Sequence, residues 1–335
     1  MKRKIGMALL MCLIILLFSG CGGESVPLSA LDRPIQVGIV QFGENARHDA
    51  AREAFVSQLE MLGYGADRVE VDFLPAGTDE ERLLQIAGQF AEDKKDLIVA
   101  VSTKAAQAAV QASAGEIPVL FLCVENPVTA GLLRNKYTPS EVVTGVTSAV
   151  PADRIFNFMV QDFAGTPFNN IGLLYNTSSP DAIQTINDIK DYLNNNAITF
   201  QDAVVADALE AQQALVSMLY DPAQMASANA EDTTNQAVKA IYLSDDPVIR
   251  ESLPQIEEML VDENVVVYVG AEDMLFEGNC TAVVADSEAI GTQGAYMAEK
   301  IFNGVPLSMI PCEDAGVYGK VTPAPAEADA QEQGV

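Results

Sequence analysis

The chain has 335 residues, of which 49% are apolar and 20% charged; that is length for two ordinary domains and too apolar for a disordered chain. The formal net charge of −28 speaks against nucleic acid as a partner, because holding phosphates needs clustered Lys and Arg. One histidine, no tryptophan and five cysteines without CxxC spacing leave little basis for a His-ligated zinc site or Ser-His-Asp chemistry, unless His48 itself serves.

Lys2, Arg3 and Lys4 precede an apolar run over 5–18, and Ser19-Gly20-Cys21 follows. This is the shape of an export signal. The run is short for a spanning helix, which needs about 20 apolar residues. Residues 22–33 lack apolar periodicity and read as a tether, 21–34 once Cys21 is included. The apolar, β-branched run 35–40 reads as a buried strand, ending at Gln41 and Phe42 before a helix with Ala50, Ala51, Ala54, Phe55 and Leu59 on one face. Strands are expected over 69–73, 96–101, 118–122 and 142–146. Helices are expected over 78–92 and from Ser102-Thr103 to 113. A second series follows, with helices over 153–163, 180–194, 208–219, 247–261 and 289–302. Its strands are expected over 170–175, 198–205, 240–243, 265–269 and 281–285. Alternating strands and helices imply parallel sheets with right-handed crossovers, and two such series imply two similar α/β lobes. Residues 221–236 are polar and rich in small side chains, and read as an inserted loop. Residues 321–335, rich in Pro, Ala, Glu and Gln, read as a disordered tail.

Several blocks occur in a telling order: Gly38-Ile-Val-Gln-Phe42, Asp49-Ala-Ala-Arg-Glu-Ala-Phe55, Ala105-Ala-Gln-Ala108, Asn126-Pro-Val, Val143-Thr-Gly-Val146, Gly172-Leu-Leu-Tyr-Asn176, Glu272-Asp-Met274 and Ile290-Gly291. With them the chain resembles bacterial ABC-transporter solute-binding lipoproteins of the type I periplasmic-binding-protein fold, in the group that includes TrpX-like proteins for aromatic amino acids. The resemblance implies a signal peptide over 1–20, a lipid on Cys21, and two Rossmann-like lobes with parallel sheets. Lobe one would hold 35–148 and 287–307, lobe two 149–286 and 308–320. Crossings fall near 148–150, 286–287 and 308–311. It further implies a monomer outside the cytoplasm that closes on a small molecule by hinge motion and serves an ABC permease and ATPase, without a cofactor. The family commonly has Thr-Asp where this chain has Glu125-Asn126.

In open α/β sheets a ligand sits beyond the carboxyl ends of the strands. An amino acid brings a carboxylate, which suits hydroxyls at helix N-termini, and an ammonium, which suits carboxylates. Ser102, Thr103 and Ser178 stand at strand-to-helix junctions, and each is equally a good helix cap. Glu125, Asp245, Glu272, Asp273 and Asp286 are acceptors for an ammonium, with capping or solvation as the other reading. Gln41, Asn126 and Asn176 offer amide groups, and Phe42 offers an aromatic wall. Two other classes remain: a sensory binding protein that presents its ligand to a membrane receptor, and an exported enzyme using Asp245, Asp246, Glu272 and Asp273 for acid/base or metal work. The second lacks a Gly-rich phosphate loop, a GxSxG motif and EF-hand spacing.

Overall fold

The structure is a computed structural model that describes residues 27–163, 170–220, 238–261 and 263–323. The export signal, Cys21, the 221–236 insertion and the tail beyond 323 lie outside the described residues.

The first lobe alternates β1 (Ile35–Gln41), α1 (Ala46–Met61), β2 (Val69–Pro75), α2 (Glu80–Glu92), β3 (Leu97–Val101), α3 (Thr103–Ser113), β4 (Val119–Val124) and β5 (Val143–Thr147). The second lobe follows with α4 (Ala152–Asp162), β6 (Ile171–Tyr175), α5 (Pro180–Asn195), β7 (Phe200–Val204), α6 (Ala208–Leu219), β8 (Ala240–Leu243), α7 (Pro247–Leu260), β9 (Val266–Val269) and β10 (Cys280–Ala285). The chain then returns through α8 (Ser287–Phe302), β11 (Glu313–Asp314) and β12 (Tyr318–Val321). The sheets have six strands each, in the orders β11-β5-β4-β3-β1-β2 and β12-β10-β9-β8-β6-β7. Every pairing is parallel except β10 with β12.

Parallel strands buried on both faces need apolar residues at nearly every position. In β1, Ile35, Val37 and Ile39 pack with Phe55 and Leu59 of α1 and Phe302 of α8, whereas Val40 packs with Leu83 and Phe90 of α2. Strand β6 repeats the alternation: Leu173 and Tyr175 meet α4 and α5, and Leu174 meets α6 and α7. Each lobe is therefore an α/β/α sandwich, as the sequence implies. Helix α8 lies against α1 so closely that a Cβ on Gly291 would stand 2.0 Å from the Ala51 carbonyl oxygen.

Two crossings fall where the sequence placed them, between β5 and α4 and at Asp286 between β10 and α8. The third does not. Glu313 and Asp314 pair with Val146 and Thr147 of the first sheet, and Tyr318 to Val321 pair with the second. The crossing thus lies at 315–317 instead of 308–311. The tether also shortens. Leu28 packs on the first core, Ser29 Oγ donates to Asn303 Oδ1 at 3.0 Å, and Arg33 grips Asp96 at 2.6 and 2.8 Å. Residues 27–34 are therefore part of the first lobe's surface. Asp79 caps α2, its carboxylate accepting from Glu81 and Arg82 N–H. Val321 belongs to β12, so the sheet runs into the expected tail.

Candidate functional site

The strands' carboxyl ends face one cleft of about 1510 Å³. From the first lobe it is lined by Glu125 and Asn126, just past β4, by Asn45 to His48 at the start of α1, and by the crossing at 148–151. From the second lobe come one flank of α5 (Asp181, Gln184, Thr185, Asp188, Tyr192), Tyr242 of β8, Tyr268 of β9 and the turn Gly270 to Asp273. That turn passes tightly over its neighbour, since a Cβ on Gly270 would lie 2.6 Å from the Asp245 nitrogen. Among the described residues no group of three His, Cys, Asp or Glu side chains is placed to hold a metal, and no helix is long and apolar enough to cross a membrane.

Of the residues singled out from the sequence, Glu125, Asn126, Glu272 and Asp273 line the cleft. Most of the others are engaged in local structure. Gln41 is buried, and its Nε2 donates to Asp49 Oδ1 at 2.9 Å. Phe42 packs on the first lobe's core, with the Lys104 ammonium 5.0 Å above its ring. Ser102 caps α3, accepting from Ala105 N–H at 3.3 Å, and Thr103 opens that helix. Asn176 donates to the Val205 carbonyl and accepts from Ser178 N–H, both at 2.6 Å. Asp286 caps α8 through Ala289 N–H at 2.7 Å. In these places the capping reading describes the geometry. Asn126 lines the cleft, but its Oδ1 accepts from Val128 and Thr129 N–H at 3.1 and 3.2 Å.

Two arginines organise the charges, and neither stood out in the sequence. Arg250 donates through Nε to Asp245 at 2.5 Å and through both Nη atoms to Asp273 at 3.0 and 2.9 Å. These bonds hold the Asp273 carboxyl below the usual carboxylate range. Arg47, in the first turn of α1, reaches across to the second lobe: Nη1 donates to Glu272 Oε2 at 2.9 Å and Nη2 to the Ala285 carbonyl at 2.5 Å. His48 beside it has its pKa lowered, by burial first and by the Arg47 charge second.

Glu125 has no such partner. Its side chain is exposed to the cleft, with the cleft walls around it. Burial, then the charges of Asp245 and Asp181, push its pKa up to about 7, with Arg250 offsetting part of the rise. The Tyr242 phenol is raised as well, by burial first and then by Glu125 and Asp245. An unpaired carboxyl facing the cleft is an acceptor for a ligand cation. Cys123, also on the cleft wall, is a free thiol that burial pushes up to about 12. Cys280 and Cys312 are free as well.

Asp246 carries the second lobe's side of the cleft without touching it. It is 1% exposed, and it caps α7 through Ile249 N–H at 2.9 Å. It also accepts from Asn176 N–H at 2.9 Å and from the Ser244 hydroxyl. Asp246→Ala orphans these donors, and a loss of about 2–4 kcal/mol in unfolding free energy is expected. Denaturant unfolding monitored by circular dichroism measures it.

A two-lobed α/β fold with its polar groups gathered in the interlobe cleft is the architecture of a binding protein. The chain belongs to the ABC transporter substrate binding protein family, which it matches over residues 36–321. Such proteins bind their substrate outside the cytoplasm without transforming it, so the chain is not an enzyme. It is 27% identical over 277 residues to a tyrosine-binding protein of Clostridioides difficile strain R20291, covering 82% of this chain and 74% of that protein. Among solved structures it is similar to a ligand-free, open substrate binding protein with adhesive properties from Clostridium difficile: TM-score 0.71, 27% identity, 86% of this chain and 92% of that one. It also shares its fold with a Streptococcus pneumonia domain in complex with L-Trp: TM-score 0.56, 23% identity, 84% of this chain and 89% of that one.

Proposed function

We propose that this chain is the receptor of an ABC importer for an amino acid with an aromatic side chain. In this reading it is anchored outside the membrane by a lipid on Cys21, and it delivers ligand to a permease and ATPase. The observation that carries the reading is Glu125: a carboxyl facing the interlobe cleft without a basic partner of its own. An ammonium beside Glu125 offsets the burial and the Asp245 and Asp181 charges that raise it, and the exposed ring of Tyr137 on the cleft's rim is available to an aromatic side chain. Asn126, Glu272 and Asp273 complete the polar lining from the two lobes. Similarity to a tyrosine-binding protein supports the ligand class. The cleft of about 1510 Å³ exceeds the roughly 300–1,000 Å³ of ordinary small-molecule pockets. Retention of one amino acid therefore calls for the lobes to close around it, hinged on the three crossings.

Thermal shift tests the reading. Protein stripped of co-purified ligand by unfolding and refolding is screened against the common amino acids, nucleosides and simple sugars. A ligand selective for the folded state at a hundred times its dissociation constant stabilises by about 2.7 kcal/mol. A rise in Tm with Tyr, Phe or Trp is expected. A rise confined to sugars or nucleosides would overturn the amino-acid assignment.

A further inference from the structure

The cations that line the cleft are Arg47 and Lys136, with His48 lowered in pKa by burial and by Arg47. The wall is otherwise acidic, with Glu125, Asp153, Asp181, Asp188, Asp191, Glu272, Asp273 and Asp314. A ligand carboxylate is repelled by such a wall unless one cation is released to receive it. Lys136 is held by Asp314 at 2.6 Å. Arg250, behind the lining, is gripped by two carboxylates through three bonds.

Arg47 differs. It makes one bond to one carboxylate, Glu272, whose side chain is 42% exposed. An exposed pair of that kind is weak. The other edge of the guanidinium is fixed by the Ala285 carbonyl, and its backbone N–H is capped by Asn45 Oδ1 at 2.8 Å. The planar fork is therefore held in place while its acid partner is easily exchanged. Arg47 and Glu125 also share one wall. The Cys123 thiol feels the Arg47 charge, and Glu125 follows two residues later, past a bulge where Cys123 has φ +58°. Receptors of opposite sign on one wall match the ammonium and carboxylate of an α-amino acid.

From this geometry we infer that Arg47 is the residue specifying a ligand carboxylate, and that Glu272 is a built-in competitor occupying it until the ligand displaces it. The inference rests on the amino-acid reading above. It makes the interlobe ion pair a filter: a ligand lacking the carboxylate leaves Arg47 and Glu272 joined.

The experiment is titration calorimetry on the full-length protein in detergent, wild type, Glu272→Gln and Arg47→Gln. The probes are L-tyrosine, L-phenylalanine and L-tryptophan, each against its decarboxylated amine. Thermal melts without ligand establish that each variant is folded. Glu272→Gln is expected to bind the amino acid about two- to fivefold more tightly, the value of the displaced pair. Arg47→Gln is expected to bind it about tenfold or more weakly. For the amines, Glu272→Gln gives no gain and Arg47→Gln no loss. Wild-type binding of amino acids together with weaker or unchanged binding in Glu272→Gln would overturn the competitor role. Equal shifts for amino acids and amines, or no loss in Arg47→Gln, would overturn the role of Arg47. A wild type that binds none of the three amino acids would overturn the receptor reading and, with it, this inference.

Discussion

Glutamine in place of Glu125 is expected to weaken amino-acid binding by about 10- to 100-fold at pH 8, the value of one charge-assisted hydrogen bond to the bound ammonium. It is also expected to remove the pH dependence of binding. With its pKa raised to about 7, Glu125 is charged at pH 8 and largely protonated at pH 6. An incoming ammonium requires the charged form, so wild-type affinity falls as pH drops below 7, approaching tenfold per unit. The stability effect has the opposite sign. A carboxyl whose pKa is higher folded than unfolded destabilises the fold when charged. That penalty is fully present above about pH 7 and fades as pH falls toward the ordinary carboxyl value of 4.5. The ligand-free wild type should therefore gain stability relative to Glu125→Gln on going from pH 8 to pH 5. Calorimetry and thermal melts across that range read both effects.

Gly291→Ala is expected to destabilise the protein, although alanine normally favours a helix over glycine by about 1 kcal/mol. Gly291 lies inside α8, where the added Cβ would fall 2.0 Å from the Ala51 oxygen and 2.8 Å from the Phe55 nitrogen. Both are backbone atoms of α1, so the helices must part. Overpacking of this kind costs about 1–3 kcal/mol. Displacing α1 also moves Arg47 and His48, which stand at its cleft end, so ligand affinity should fall with stability. Gly88→Ala on α2, where a Cβ meets nothing within 4 Å, is the control and should stabilise by about 1 kcal/mol. Denaturant midpoints at unchanged m-value separate the two cases.

The fold was legible because its strands are apolar runs such as Leu97 to Val101, and a parallel sheet covered on both faces admits little else. The third crossing was not, because Glu313–Asp314 is a strand of two charged residues with no periodicity to detect. The first lobe's hold on Leu28 and Arg33 escaped notice because it rests on single contacts with residues far along the chain. The site was legible in one respect, that strand ends face the cleft. Hydroxyl and carboxylate side chains at such ends serve as helix caps as readily as ligand contacts, and Ser102 and Asp286 are caps in the structure. A further signal lay in α5, whose Asp181, Gln184, Thr185, Asp188 and Tyr192 recur at helical spacing and form the cleft's second-lobe wall. The importance of Arg47 and Arg250 depends on partners 225 and 23 residues distant, which no local pattern reveals.

The measurement closest to the central claim is titration of ligand-stripped wild-type protein with L-tyrosine, L-phenylalanine and L-tryptophan at pH 8. Saturable binding of at least one of them, one ligand per chain, is the expected result. Saturable binding of a sugar or nucleoside with no heat from any amino acid would contradict it, and would assign the interlobe cleft and Glu125 to a different class of solute.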